Sequence, residues 1–231
     1  MLNESKCEIA PLGALRGSQV SIGTLKYVDL CTDSIKILGI HFSYDKNIAN
    51  TKNYDAVVEK ISKCIDLWKW RNLSLAGKIT IFKTLAISKI VYVSFLSVIP
   101  KEILEKLESL QELFLWDGKN PGVCHGNLIC EYERGGLKKV DIKFKIRALR
   151  LSWIKRLYTG SDHPWKYIPK TILSDTYPLG PFFPNVSLSH HPTTLPNFYK
   201  TMLRHWSSIN FDPQIPSLIQ NQIIWNQIYF N

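Results

Sequence analysis

Lysines and arginines interleaved with aromatic rings are the residues of this 231-residue chain best suited to chemistry. Lys60, Lys63, Lys69 and Arg71 lie near Trp68, with Lys78 and Lys83 following, and Lys143, Arg147 and Arg150 form a second group. Cations at such density replace counterions at phosphates, while Trp and Tyr stack on bases or ribose. Any one of these lysines also suits an ordinary solvated helix face. Their clustering, with a formal net charge of +10, is what points to a polyanion, and nucleic acid is the commonest such partner. Trp68, Trp116 and Trp153 fall on apolar faces and read as core residues.

A search for catalytic patterns is mostly negative. The sequence has no nucleophile elbow, no phosphate-cradling glycine loop and no His-x-x-x-His pattern, and His41, His125, His163 and His205 have no partner assignable from spacing. Asp29 and Asp33 stand four apart and read as turn carboxylates. Cys124-His125 with Cys130 would need two further ligands to hold zinc, so the five cysteines read as free thiols of a reducing, intracellular compartment, nucleus or cytoplasm. The amino terminus carries Glu4, Lys6 and Glu8 where a secretory signal needs an apolar run. Ile90–Ile99, bounded by Lys89 and Pro100, falls short of the roughly 20 residues that cross a bilayer. The expectation is a soluble chain with no membrane partner and no small-molecule substrate.

The elements that must position the basic residues are mainly helical. Residues 1–50 read as strands and turns, with Ser34 to Phe42 β-branched and apolar. From Asn53 to Arg71, Tyr54, Val57, Val58, Ile61, Ile65 and Trp68 share one helical face. Ser74 is an N-cap for a second helix, expected to be buried or to bend into an extended exit from Ile90 onward. Pro100 opens a third helix, which Asp117-Gly118 stops. Asp141 precedes a fourth, whose apolar face is expected at Ile142, Ile146, Leu149, Trp153 and Leu157, with Lys143, Arg147 and Arg150 as a basic stripe beside it. Residues 159–196 read as irregular, and Phe198 to Trp206 and Ile215 to Phe230 as two more helices. The fold class expected is mainly α with a small N-terminal β segment.

Leu73-Ser74-Leu75-Ala76-Gly77-Lys78-Ile79-Thr80-Ile81-Phe82-Lys83 resembles the segment after the polymerase core in non-LTR (LINE-type, jockey-like) retrotransposon reverse transcriptases. Leu2 to Glu8 is similar to polymerase motif D, which would make Lys6 the lysine near the nucleotide phosphates. Ile35-Lys36-Ile37-Leu38-Gly39-Ile40 resembles the Leu-Gly hairpin that grips the primer end, so Leu38 and Gly39 are implied contacts. Gly135-Gly136-Leu137 with Asp141 resembles the glycine pair that opens the region after the thumb, and Ile224-Trp225-Asn226 echoes a downstream Trp-Asn pattern.

The resemblance implies a palm-edge β fragment at 1–50, a thumb-like three-helix bundle at 51–118 and a post-thumb helical linker region at 119–231. It also implies an RNA template with a DNA primer, or an RNA–DNA hybrid, as partner. Full-length members use two Mg²⁺ ions held by aspartates upstream of motif D. This chain has no Ala-Asp-Asp signature, so the resemblance implies a carboxy-terminal portion, Met1 internal to a longer frame, and no cofactor or polymerase activity in the chain alone. Two other readings stand beside it: a host-retained nucleic-acid-binding or interaction remnant, and an inert pseudogene product.

Overall fold

Asp45 opens the helical part of the chain: its carboxylate accepts the backbone N–H of Asn47 at 2.7 Å. In the computed structural model, which describes residues 7–18, 22–23, 25–158, 161–176 and 195–208, the protein is mostly helical with a few short strands. Lys6, most of the motif D segment, Trp225-Asn226 and the helix expected at Ile215 to Phe230 lie outside the described residues. Two compact units divide the chain, one within residues 1–143 and one within 144–231.

In the first unit, β1 (Glu8–Ile9) pairs in parallel with β2 (Lys26–Tyr27), and β3 (Ile35–Ile37) forms an antiparallel hairpin with β4 (Ile40–Phe42). Ile37 faces Ile40 in register, leaving Leu38-Gly39 as a two-residue loop. Both loop residues have positive φ, 49° and 85°, as tight hairpins of type I′ require. Gly39 adopts this freely, whereas Leu38 meets its own Cβ there.

The first long helix begins earlier than its apolar pattern suggested. It comprises α1 (Lys46–Asn50), a π turn at Thr51–Asp55 and α2 (Ala56–Lys69), with Tyr54, Val58, Ile61 and Ile65 buried. Ser74 caps α3 (Leu75–Ile81) by accepting Gly77 N–H at 3.2 Å. A second π turn, Phe82–Ile87, joins α3 to α4 (Ser88–Leu96), making a continuous helix of 22 residues that contains an 18-residue stretch of mean hydropathy 1.6. Burial, one of the two expectations for the segment from Ile90, is what occurs: Ile90, Val93 and Ser94 are buried, the helix runs to Leu96, and Ser97 then turns extended ahead of Pro100. By length and composition alone that helix could cross a membrane. Its buried residues belong to a core in which α2 packs on α4 and α5 (Lys101–Trp116), and α3 packs on α5. Phe82 and Phe114 meet there with ring centroids 6.5 Å apart. Asp117 and Gly118 end α5 in left-handed conformations, φ 52° and 77°.

After α6 (His125–Ile129) the chain folds back through Gly135-Gly136. Gly135 has φ 74°, and a Cβ on Gly136 would sit 2.7 Å from Cys130 Cα and closer still to the Cys130 carbonyl. Two different constraints therefore select the glycine pair. Leu137 and Lys139 then donate N–H bonds to the Leu128 carbonyl at 3.2 and 2.9 Å.

The second unit holds most of α7 (Ile142–Tyr158), α8 (Tyr167–Thr176) and α9 (Asn197–Ser207). Its core gathers Leu151, Ile154, Leu157, Leu173, Leu195, Met202, Leu203 and Trp206. Helix α8 corrects the irregular reading at residues 167–176, while residues 159–160 and 177–194 of that segment lie outside the described residues. Pro169 falls in the first turn of α8, where a missing N–H costs no helical bond.

Candidate nucleic-acid interface

Period and exposure together build a basic and aromatic stripe on α2. Val58, Ile61 and Ile65 turn inward, so Lys60, Lys63, Leu67 and Trp70, spaced i, i+3, i+7 and i+10, share the opposite face. At 1.5 Å per residue the stripe is about 15 Å long. Trp70 is 90% exposed and Leu67 74%, at the end of the helix where Lys69 and Arg71 are also exposed. The Arg71 guanidinium lies 4.4 Å from the centre of the Trp68 ring, a cation–π contact that holds it near the stripe's end. Lys60, Lys69 and Lys83 are exposed and form no ion pair among the described residues. Lys63 pairs with Glu59 at 2.6 Å, which holds the Glu59 carboxyl below its usual range.

Trp70 was missed by the sequence reading. Its signal was a tryptophan out of phase with the apolar row that ends at Trp68.

The Leu38-Gly39 hairpin is carried to the bundle by two polar clamps. The first π turn aims Asn53 at β4, where its amide accepts His41 N–H at 2.8 Å and donates to the His41 carbonyl at 2.8 Å. From α4, the Tyr92 hydroxyl donates to the Leu38 carbonyl at 2.5 Å. Leu38 itself stands 87% exposed at the tip. Burial and the nearby charges of Lys36 and Lys52 lower the pKa of His41, whose Nδ1 sits 3.1 Å from Ser34 Oγ.

Two expected phosphate ligands are not on the surface. Lys78 is buried, with its ammonium bonded to Asp117 Oδ2 at 2.6 Å and to the Leu115 carbonyl at 3.4 Å. It ties α3 to the carboxy-terminal end of α5, where a cation complements the helix dipole. Arg150 is buried in the second unit, its guanidinium 4.1 Å from the centre of the Phe198 ring. The buried row of α7 includes Ile142, Ile146, Arg150, Leu151, Ile154 and Leu157, while Leu149 and Trp153 are half-buried, Trp153 packing against the second unit's core. Apolar residues surround that helix, so its sequence did not define one face.

The other two α7 cations are engaged within their own units. Lys143 pairs with Glu108 at 2.9 Å, which raises its pKa. Arg147 donates to Ser208 Oγ beyond α9. Beside Arg147, Arg150 and Arg204, burial pushes His205 down to about 4. Lys60, Lys63, Lys69, Arg71, Lys83 and Lys143 with the Leu38-Gly39 tip are thus the sequence candidates that remain accessible in the first unit.

No family model matches the chain. Over 126 residues it is 26% identical to a protein of Arabidopsis thaliana described as a ribonuclease H protein, a match covering 52% of this chain and 20% of that one. The chain therefore aligns with about a fifth of that relative's length.

Proposed function

We propose that this chain is a template-primer-binding portion of a non-LTR retrotransposon reverse transcriptase, holding an RNA–DNA hybrid or RNA by its backbone. The reading rests first on the α2 stripe, where Trp70 stands 90% exposed among Lys63, Lys69 and Arg71. An exposed indole costs solubility unless it meets a partner, and base or ribose stacking beside phosphate-neutralising cations suits it. The likeness to a protein described as a ribonuclease H protein supports a nucleic-acid-processing, retroelement-related setting. The α2, α3–α4 and α5 bundle corresponds to the thumb, and the Leu38-Gly39 hairpin to the primer grip.

In this role the chain supplies no chemical step. Lys60, Lys63, Lys69, Arg71 and Lys83 neutralise phosphates, Trp70 stacks, and Leu38 presents an apolar tip to the primer end. Lys6 belongs to the proposal only by resemblance. Metal-dependent polymerisation would belong to the longer enzyme.

Fluorescence anisotropy with a labelled RNA–DNA hybrid tests this reading. Affinity should fall steeply with salt, the logarithmic slope dropping by about 0.9 for each phosphate contact removed. Trp70→Ala should weaken binding by about 5- to 150-fold, the range that loss of one stacked base gives. Binding indifferent to salt and to Trp70→Ala would reject the proposal.

A further inference from the structure

Beside the carboxy-terminal half of α5, the first unit contains an open cleft of about 490 Å³. Its apolar wall is Trp116, Val123 and Leu128, and its polar floor is Glu112, His125 and Lys139. That volume lies in the range of small-molecule sites and exceeds what a single base needs.

The floor is an ordered polar chain. Lys139 has a side chain only 1% exposed, yet it carries its ammonium into an ion pair with Glu112 and donates to His125 Nδ1 at 3.0 Å. Trp116 Nε1 donates to Glu112 Oε2 at 2.9 Å. Because His125 Nδ1 accepts from Lys139, its Nε2 carries the proton and faces Asp141 Oδ2 at 3.4 Å. Two of the three ammonium N–H bonds are thus committed among the described residues. With that side chain 1% exposed the ammonium is held inside the floor, and the Glu112 carboxylate, 42% exposed, keeps lone pairs for a donor in the cleft.

We propose that this cleft receives one unstacked nucleobase of a bound single strand, a reading that rests on the nucleic-acid role above. Each of the bases carries an acceptor next to an N–H on its Watson–Crick edge. Glu112 accepts that N–H, its orientation fixed by the buried Lys139, while the indole of Trp116 supplies apolar contact for the ring. The match holds for all four bases, so the cleft adds affinity without sequence preference. No bond is made or broken.

The test compares a labelled uridine 12-mer with a fully abasic 12-mer of equal charge. Gly122→Leu adds a branched side chain to the lining and so narrows the cleft, and the fold tolerates it because a Cβ at Gly122 meets nothing within 4 Å. The native chain should bind the base-bearing strand about 5-fold tighter or more. Gly122→Leu should shrink that ratio while leaving abasic binding unchanged, and Glu112→Gln should shrink it less. An identical ratio in native and Gly122→Leu chains overturns the cleft proposal alone. Failure of both strands to bind overturns the nucleic-acid reading with it. Uridine monophosphate that binds with native but not Gly122→Leu chain, and without weakening the 12-mer, assigns the cleft to free nucleotides and also overturns the proposal.

Discussion

Substituting the two adjacent glycines one at a time separates the two constraints on the fold-back loop. In Gly136→Ala the new methyl would lie 2.7 Å from Cys130 Cα, against an ordinary carbon–carbon contact of about 3.5–4.0 Å. Cys130 presents backbone, not a side chain that can rotate away, so the loop must shift by about 1 Å. Two bonds span that contact, Gly136 N–H to the Glu131 carbonyl at 2.9 Å and Lys138 N–H to the Cys130 carbonyl at 3.1 Å. A 1 Å shift stretches both beyond bonding distance. At about 1 kcal/mol each in net terms, and up to about 3 where the group stays dry, the loss is about 2–6 kcal/mol.

Gly135→Ala makes the control. Its Cβ enters open space, but φ 74° costs an L-residue about 1–2 kcal/mol. About half of that is offset by the lower entropy of the unfolded chain. Urea denaturation followed by circular dichroism gives both values. With a denaturant slope of about 2 kcal/mol/M, Gly136→Ala should lower the midpoint by about 1–3 M and Gly135→Ala by under about 0.5 M. Hydrogen exchange at the Leu137 and Lys139 amides should quicken in Gly136→Ala, because both bond the Leu128 carbonyl across the same loop. A Gly136→Ala chain no less stable than Gly135→Ala would refute the close-approach argument.

Other expectations follow from the same contacts. Asp117→Ala leaves the buried Lys78 ammonium without its carboxylate and should cost about 1–3 kcal/mol, more than Lys78→Met, with hybrid affinity unchanged in both; a drop in affinity would return Lys78 to the interface. Leu38→Asn should stabilise the hairpin by about 0.5–1 kcal/mol, because asparagine tolerates φ 49°, and a lower melting temperature would contradict the turn geometry. Asn53→Ala strips β4 of both clamps on His41 and should cost about 1–3 kcal/mol, measurable as faster exchange of the His41 amide. His205 is held at about 4, below the ordinary value near 6.5, so on acidification the unfolded chain binds the proton first. Stability should be full above about pH 6.5 and fall as pH drops towards 4, and His205→Gln should flatten that slope; stability that rises on acidification would reverse the sign.

Local chemistry made much of the fold legible in the sequence. Ser74 caps its helix, Pro100 immediately precedes another, and Asp117-Gly118 stops that helix, because each acts on backbone groups within a few residues. The apolar row Tyr54, Val58, Ile61 and Ile65 is legible from its helical period, whereas the Leu38-Gly39 turn was implied only by the resemblance, because residues 34–42 otherwise read as one apolar run and Leu38 is an unusual residue at φ 49°. Helix α1 and helix α8 were not read, one because its Asp45 cap precedes a short polar turn, the other because it lies inside the stretch 159–196 that reads as irregular, with Pro169 in its first turn.

Which cations face solvent was a tertiary decision. Lys78, Lys139 and Arg150 look in sequence like Lys60 or Lys83, yet each is buried because a distant residue answers its charge or covers its stem. Asp117 and Leu115 answer Lys78, Glu112 and His125 answer Lys139, and Phe198 covers Arg150. Periodicity reports which side of one helix is apolar, while the cost of burying a charge is set by partners that only the folded chain brings within reach. Composition alone marks the chain as basic, and tertiary packing chooses which of its cations are exposed to a polyanion.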